Sequence, residues 1–420
     1  MHEVDCVVVG GGIVGTALTY CLSKFGIQTT LLEQSAFGTG GSTGLSAATV
    51  WCGVDLATTE HDEKKQQLTD LEEDMYLCAK SRQLYKEVKC KECQYMETGA
   101  LEIATSATEL SFLRHQWDTY QQRTSGKTPS LQAEWLNSND AVRQKEPALS
   151  QSVLGAIYTP LSGFVSTPIG CARAFADAAE RMGAICAEGA RVTNVVPCSD
   201  NVATSAGTKR RFMVEYTCES KQTQQVATDH VVFATGYFTD VMQRAFTSQT
   251  TESQTPQPLP PTTIVPVQGQ IFQLDKEPPM TKTKVQNYPN LQWPQKVIFT
   301  VRGYEYWKNH TTSPPKVTHD ATGKRLTHHA YLRPRIQGGL LAGGSRIPAG
   351  ATKHITDEEL FHDNVSYMRS FLTPLDHYLA LKEEEEEEDF RKKTLEERGI
   401  DYWRGTMPFS PNGQVISYSN

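Results

Sequence analysis

The clearest hydrophobic pattern in the chain lies in residues 1–33. Residues 4–9, apart from Asp5, form an apolar and β-branched run, typical of a strand that is buried on both faces. Residues 16–25 have the spacing of a short helix with one apolar face, and Gly26 follows them as a helix-ending residue. Residues 27–32 are expected to form a second strand, which ends at Glu33. The pattern predicts one strand–helix–strand unit.

The turn between the first strand and the helix carries three glycines at the spacing GxGxxG. Gly10 permits a tight turn, Gly12 lets the backbone approach a pyrophosphate, and Gly15 lets the helix lie close to the strand. The helix N-terminus offers free N–H groups and a partial positive charge to the phosphates. Glu33 is placed to accept hydrogen bonds from a ribose diol and would repel a 2′-phosphate. These residues predict a site for NAD or FAD, although an ordinary α/β domain can also carry a glycine-rich turn.

Further along the chain, the two periodicities predict a mixture of strands and helices. Helices are expected within 59–95 and at 109–122, 168–182 and 358–372. Strands are expected at 99–105, 156–158, 184–186, 191–196, 212–218, 265–274 and 297–301, with a hairpin formed by 328–335 and 339–344. Residues 163–168 are expected to form a turn, the polar stretch 219–228 to precede a buried strand at 230–236, and residues 403–416 to form a strand, a turn and a strand.

The glycine-rich and hydroxyl-rich loop at 38–44 is a second candidate for ligand binding. Its backbone N–H groups and the hydroxyls of Ser42 and Thr43 could bind phosphate or ribityl oxygens. A flexible turn has the same composition, so the loop alone leaves both interpretations open.

Composition limits the classes of function. The 420 residues can form one or two domains with a large core, and a mean hydropathy of -0.45 is that of a water-soluble chain. The net charge of -7 and the pI of about 5.9 carry no electrostatic signal for nucleic acid or anionic lipid. The apolar run at 7–22 contains four glycines and follows acidic residues, which argues against a transmembrane segment or a signal peptide. We therefore expect neither nucleic-acid nor membrane-spanning function.

The ten cysteines are scattered, which suits reduced thiols inside a cell better than a disulfide framework. Cys90 and Cys93 form one CxxC pair, but two further zinc ligands at a compatible spacing do not stand out, so no metal site is expected. The first strand follows Met1 too closely for a transit peptide, and the last residues are not a peroxisomal signal, so we expect the cytoplasm.

Seven segments, taken in order, resemble those of the FAD-dependent D-amino-acid oxidase superfamily, particularly its glycine oxidase, sarcosine oxidase and γ-glutamylputrescine oxidase-like branch. They cover nearly the whole chain, and their order is more specific than any one of them. The segments are VVVGGGIVG at 7–15 with Glu33, GSTG at 41–44, GFVSTP at 163–168, VVFATG at 231–236, VPVQGQ at 265–270, YLRPR at 331–335 with GLLAGG at 339–344, and WRGTMPFSPNG at 403–413.

The resemblance implies an α/β fold, α+β overall, with a Rossmann-like FAD-binding domain and a substrate domain of antiparallel sheet plus helices. It implies that residues 1–75, 160–245 and 400–420 form the FAD domain, and that 76–159 and 246–399 form the substrate domain. FAD is then favoured over NAD. Its contacts would be Gly10, Gly12, Gly15, Glu33, Ser42, Thr43, Gly236 and, through its backbone, Val192.

By the same resemblance, the reaction would remove hydride from the carbon next to an amine nitrogen, and water would hydrolyse the imine. The substrate would be a small amine or amino acid, and the electron acceptor would be oxygen or an unidentified carrier. The opening unit is equally compatible with a flavoprotein dehydrogenase of a 2-hydroxy acid or a similar alcohol. An inactive or incomplete family member is a third alternative.

Three positions depart from the family pattern. Met407 stands where glycine oxidase-like members carry an arginine for the substrate carboxylate, which favours an amine or N-substituted substrate. Leu45 stands near the position of the flavin-linked histidine of dimethylglycine dehydrogenase-like members, so covalent attachment there is not expected. Relatives continue beyond the position of Asn420 with a glycine-rich segment over the flavin, so this chain is expected to be truncated and to bind FAD less tightly.

The candidates for a catalytic role are weak ones: His329, Tyr304, Arg333 and Met407. Strand alternation places His329, Tyr331, Arg333 and Arg335 on one face of a predicted strand. A structural role is the more common one for each of these residue types.

Overall fold

The computed structural model describes most of the chain and shows two large sheets and one small sheet. It describes residues 2–52, 68–88, 93–124, 132–198, 210–218, 222–242, 264–274, 292–301, 330–348, 356–385, 394–397 and 400–409. Within these ranges the helices are α1 (Ile13–Lys24), α2 (Leu68–Glu87), α3 (Ala107–Thr124), α4 (Asn139–Lys145), α5 (Pro168–Glu180), α6 (Asp357–Arg369) and α7 (Thr373–Glu385). No described helix is both long enough and apolar enough to cross a membrane.

The strands follow the mixed α/β class that the sequence predicts. They are β1 (His2–Val9), β2 (Thr29–Leu32), β3 (Thr49–Val50), β4 (Tyr95–Met96), β5 (Ala100–Ala104), β6 (Glu134–Leu136), β7 (Gly155–Thr159), β8 (Gly163–Val165), β9 (Ile185–Ala187), β10 (Arg191–Pro197), β11 (Phe212–Thr217), β12 (Thr223–Phe233), β13 (Val265–Leu274), β14 (Val297–Thr300), β15 (Ala330–Pro334), β16 (Leu340–Pro348) and β17 (Asp401–Phe409).

The predicted strand–helix–strand unit lies at the centre of a six-stranded sheet, in the order β10-β11-β12-β1-β2-β9. β1 pairs in parallel with both β12 and β2, and β2 pairs in parallel with β9. Helices α1 and α5 cover one face, where Tyr20 packs against Phe175. The carboxyl ends of parallel strands meet at one edge of a sheet, so the chain segments after β1, β2 and β12 converge there.

The structure corrects the prediction for residues 219–236. Polar residues from Thr223 onward belong to β12, and the predicted buried strand at 230–236 is only its half-buried second part. Gln224 and Gln225 lie opposite Tyr216 and Glu215 of β11 and are hydrogen-bonded to them. An antiparallel pair can expose one face to water, and this explains the polar composition.

The predicted turn at 163–168 is wrong as well, because Gly163–Val165 is the central strand β8 of the three-stranded sheet β3-β8-β4. A Cβ on Gly163 would lie 1.9 Å from the Met96 carbonyl oxygen. A glycine that permits this close approach has the same sequence signal as a turn glycine. Thr167 then caps α5 by accepting a hydrogen bond from the Gly170 N–H.

The eight-stranded sheet has the order β17-β13-β16-β15-β14-β5-β7-β6, and the predicted β15–β16 hairpin is part of it. On one face, Phe272, Leu332 and Ala342 pack against Phe361 and other residues of α6 and α7. On the opposite face, Ile271, Tyr331 and Trp403 pack around Ala47, which precedes β3. This second contact joins the eight-stranded sheet to the segment that follows the glycine-rich loop.

The predicted domain boundaries stay a prediction. The predicted division assigns residues 400–420 to the FAD domain. In the structure, β17 (Asp401–Phe409) pairs with β13 within the eight-stranded sheet. The helix predicted within 59–95 begins at Leu68 among the described residues and ends at Glu87.

Candidate cofactor site

A cavity of about 840 Å³ lies at the edge where β1, β2 and β12 end. This volume is within the usual range for small-molecule and cofactor sites. Seven of the eight residues predicted to contact the cofactor line it: Gly10, Gly12, Glu33, Ser42, Thr43, Val192 and Gly236. Gly15 lies beneath the wall, against Gly10. The structure therefore brings together residues from five separate parts of the chain, and their contacts with FAD stay a prediction.

Gly10, Gly12 and Gly15 form a turn under the cavity, called here the glycine corner. Gly10 is required by its positive φ and by a close backbone contact, and Gly15 by a close backbone contact alone. Gly10 has a φ of +108°, and a Cβ there would lie 2.6 Å from the Ala234 carbonyl oxygen. A Cβ on Gly15 would lie 1.9 Å from the Gly10 carbonyl oxygen. Gly12 differs, because a Cβ there would meet, among the described residues, only the Thr43 hydroxyl within 4 Å, at 3.1 Å. Gly12 is thus open toward the cavity.

The N-terminus of α1 forms part of the cavity wall through Gly12, Ile13 and Val14. Gly12 is the N-cap and supplies no side-chain cap, and the Ile13 N–H donates to Thr43 Oγ1 at 3.0 Å. Helix N-termini with exposed N–H groups favour anions. This end of the helix is suited to a phosphate group.

Ser42 contributes a buried hydroxyl to the cavity wall. Its Oγ has no hydrogen-bond partner among the described residues, and its side chain lines the cavity. A buried hydroxyl without a partner costs about 1–3 kcal/mol. A phosphate oxygen in the cavity would remove that cost.

The Glu33 carboxylate is buried at the end of β2 and is already partly engaged. Its Oε2 accepts a hydrogen bond from the Gly11 N–H at 2.6 Å, and its Oε1 accepts bonds from the Ser35 N–H and Oγ, both at 2.9 Å. A carboxylate has about four acceptor sites. One acceptor site therefore remains for a ribose hydroxyl, on the oxygen that faces Gly11.

Another part of the cavity wall is apolar, and its residues were not predicted as cofactor contacts. It includes Ala48, Val50, Val165, Ile264 and Pro408. These residues come from β3, β8, β17 and the chain next to β3 and β13. Val165 and Pro408 belong to the segments at 163–168 and 403–413 that carry the family resemblance, but their place in this wall depends on pairing between distant strands.

Two thiols lie at the cavity wall or next to it. Cys171 lines the cavity, and Cys93 packs in the same cluster as Cys171. A hydrogen bond from the Cys171 thiol lowers the pKa of Cys93. By contrast, burial raises the pKa of Cys6 to about 11. Cys90, the other half of the CxxC pair, is outside the described residues. In the described part of the chain, no group of three or more His, Cys, Asp or Glu side chains could hold a metal ion.

Two of the four catalytic candidates, Arg333 and Met407, are among the described residues. Tyr304 and His329 lie outside the described residues. Met407 is 38% exposed on β17, next to Pro408 of the cavity wall. Arg333 does not line the cavity and is only 5% exposed.

The Arg333 side chain is buried and is hydrogen-bonded to backbone carbonyl groups. Its Nε donates to the Ala47 carbonyl oxygen at 2.5 Å, and its Nη1 donates to the Pro334 carbonyl oxygen at 3.2 Å. Its guanidinium carbon lies 4.7 Å from the centre of the Phe164 ring. Burial, reinforced by the charge of Arg335, lowers the pKa of Arg333 to about 10, so the side chain stays charged at neutral pH.

The comparison with protein families decides the identity of the cofactor. A family model described as FAD dependent oxidoreductase matches residues 5–416. The chain belongs to this FAD-dependent DAO family. The expectation of FAD rather than NAD is therefore confirmed, and the glycine corner, the unpaired Ser42 hydroxyl and the open acceptor site of Glu33 all fit that cofactor.

Individual relatives of this DAO-family chain are distant. A glycine oxidase of Geobacillus kaustophilus is 26% identical over 183 residues, which are 44% of this chain and 45% of the relative. The human mitochondrial dimethylglycine dehydrogenase is 26% identical over 210 residues, which are 49% of this chain and 22% of the relative. The matches span less than half the length of these curated relatives.

Solved structures show the same fold across almost the whole chain. A glycine oxidase of Bacillus cereus aligns with a TM-score of 0.60 and 20% identity over 98% of this chain and 84% of that one. An L-α-glycerophosphate oxidase of Mycoplasma pneumoniae, with FAD bound, aligns with a TM-score of 0.61 and 14% identity over the same shares of the two chains. At these identities the likeness establishes the fold.

Proposed function

We propose that this protein oxidises the carbon–nitrogen bond of an amine or amino acid, with FAD as the hydride acceptor. The observation that carries the proposal is a cavity whose wall combines Gly10 and Gly12, the Ser42 hydroxyl, which has no described partner, the Glu33 carboxylate and a group of apolar side chains. The names of two curated relatives, glycine oxidase and dimethylglycine dehydrogenase, support an amine substrate.

Each part of the cavity has a separate task in this proposal. Gly12 and the N-terminus of α1 hold the pyrophosphate, Ser42 donates to it, and Glu33 accepts from the ribose. Bound FAD supplies the redox chemistry by taking up the hydride. The apolar side chains of Val50, Val165 and Ile264 in the wall limit the access of water to the cavity. A substrate amine that binds in its neutral form needs no catalytic base.

Met407 bears on the class of substrate. It stands on β17 where the family resemblance places an arginine for a substrate carboxylate, and Pro408 beside it lines the cavity. A methionine cannot form the charge-assisted hydrogen bonds that a carboxylate requires. The proposal therefore favours an amine or N-substituted substrate over a free α-amino acid, and it leaves oxygen and an unidentified carrier as the two candidate electron acceptors.

The cofactor site is tested with Gly12→Val. Gly12 has a φ of -72° and a ψ of -179°, which a β-branched residue can adopt, and only the Thr43 hydroxyl among the described residues is near the new side chain. We expect the apoprotein to unfold at an unchanged temperature but to lose FAD binding, measured by the yellow flavin spectrum after incubation with FAD and gel filtration. Normal FAD affinity in this variant would refute the assignment of the cavity.

The reaction is tested by adding amines, amino acids, 2-hydroxy acids and glycerol phosphate to the FAD-loaded protein without oxygen. Bleaching of the flavin by an amine, with release of ammonia or a shorter amine, supports the proposal. Bleaching by hydroxy acids or glycerol phosphate alone would replace it with the dehydrogenase alternative. A loaded flavin that no compound bleaches would favour a non-catalytic family member.

A further inference from the structure

The segment at residues 42–48 forms one side of the cofactor cavity, although its second half has no regular secondary structure. Its residues Ser42, Thr43, Ser46 and Ala48 line the cavity. A segment of this kind keeps one conformation only when its backbone groups are bonded to other parts of the protein. The partners of those backbone groups therefore decide the shape of this wall.

Three carbonyl oxygens in the second half of the segment are bonded to three different strands. Leu45 O accepts from Trp403 Nε1 of β17 at 3.1 Å. Ala47 O accepts from Arg333 Nε of β15 at 2.5 Å. Ala48 O accepts from the Val165 N–H of β8 at 2.9 Å.

The backbone of this segment needs such support. Ala48 has a φ of 57°, a left-handed conformation that is unfavourable for a residue with a Cβ atom. Ser46 Oγ accepts from the Ala48 N–H at 3.2 Å, within the segment itself. Against β17, the segment is in close contact, since a Cβ on Gly405 would lie 2.6 Å from Leu45 O. The bonds on either side of Ala48 thus hold a strained residue in the cavity wall.

Arg333 is the strongest of the three supports. Its bond to Ala47 is charge-assisted, and such bonds are about twice as strong as neutral ones. Its contact with the Phe164 ring and its bond to the Pro334 carbonyl further restrict the direction of the guanidinium. Among the described residues no carboxylate pairs with it, so its charge is directed at backbone oxygens rather than at an acidic partner.

We propose that Arg333 is a positioning residue, which together with Trp403 fixes segment 42–48 in the conformation that binds FAD. The inference rests on the prediction that this cavity holds FAD, and it is independent of the substrate. It also reassigns Arg333, because a side chain with two of its donors bonded to backbone carbonyls does not act as a substrate clamp.

The test uses Arg333→Met, Arg333→Lys and Trp403→Phe, with Arg335→Met as the matched control. Arg335 lies two residues further along the chain, and its Nη1 reaches the Leu274 carbonyl oxygen at 3.5 Å. Each apoprotein is titrated with FAD while protein fluorescence and the flavin spectrum are recorded. The unfolding temperature of each apoprotein is measured in parallel.

We expect Arg333→Met to weaken FAD binding by about tenfold or more, as for loss of a buried hydrogen bond to a charged group. Arg333→Lys should recover part of the loss, because it keeps the charge and one donor. Trp403→Phe keeps an aromatic ring and removes the Nε1 donor, so it should weaken FAD binding less and leave the fold intact. Arg335→Met should bind FAD like the wild type.

Two results would overturn the inference. One is an unchanged FAD affinity in Trp403→Phe and in any folded Arg333 variant. The other is an equal loss in Arg335→Met, which would indicate a general charge effect. If Arg333→Met does not fold, Arg333→Lys and Trp403→Phe decide the matter. If Gly12→Val abolishes FAD binding while the Arg333 and Trp403 variants bind FAD normally, the proposed role of Arg333 is refuted and the FAD site is not. If Gly12→Val binds FAD normally, the assignment of the FAD site itself is refuted.

Discussion

Replacing Gly15 by alanine should destabilise the protein more than any other Gly→Ala change in the opening unit. The new Cβ would lie 1.9 Å from the Gly10 carbonyl oxygen and 3.3 Å from the Ala234 Cβ. Ordinary contact begins at 3.4 Å, so α1 would have to move away from β1 by about 1.5 Å. Overpacking usually costs about 1–3 kcal/mol, and we expect the upper end because the clashing atom is backbone and cannot rotate away.

The effect is measured by thermal unfolding of the apoprotein, with Gly41→Ala as the control. A Cβ on Gly41 meets no described atom within 4 Å, and Gly41 belongs to the same cavity wall. For a chain of 420 residues that unfolds cooperatively, a loss of about 3 kcal/mol corresponds to a fall in unfolding temperature of roughly 3 to 4 °C. The shifted helix N-terminus should also bind FAD less tightly. An unfolding temperature equal to that of Gly41→Ala would refute the close helix–strand contact.

Two further predictions use single polar groups. Ser42→Ala should leave the apoprotein at least as stable as the wild type, because it removes a buried hydroxyl that lacks a described partner. The same variant should bind FAD less tightly when the apoprotein is titrated with FAD. A clear loss of apoprotein stability would show that Ser42 Oγ is bonded within the protein. Cys93 should react with iodoacetamide faster and at lower pH than Cys6. The thiolate is the reactive form, and a thiol with a lower pKa forms it at a lower pH. If peptide mass spectrometry finds Cys6 modified first, the contact between Cys93 and Cys171 is contradicted.

The sequence by itself determined the strand–helix–strand unit and the kind of ligand that it can bind. The apolar runs, the glycine spacing and Glu33 act within 33 residues, and each has a local physical meaning that holds in any surrounding structure. The order of the seven segments also indicated FAD, which the family match over residues 5–416 confirmed. For the same reason, the β15–β16 hairpin was predictable, because its two strands are neighbours in the chain.

Only the tertiary structure decided which distant residues meet in the cavity wall and what Arg333 contacts. Strand alternation placed Arg333 on one face of β15, but the direction of its donors depends on Ala47, which is 286 positions away in the chain. The bond between Trp403 and Leu45 spans 358 positions. Strand β8 was hidden in an apparent turn because its partners, β3 and β4, are also remote in the chain. Contacts of this range arise when two sheets pack together, and no local periodicity encodes which backbone oxygens then meet a buried side chain.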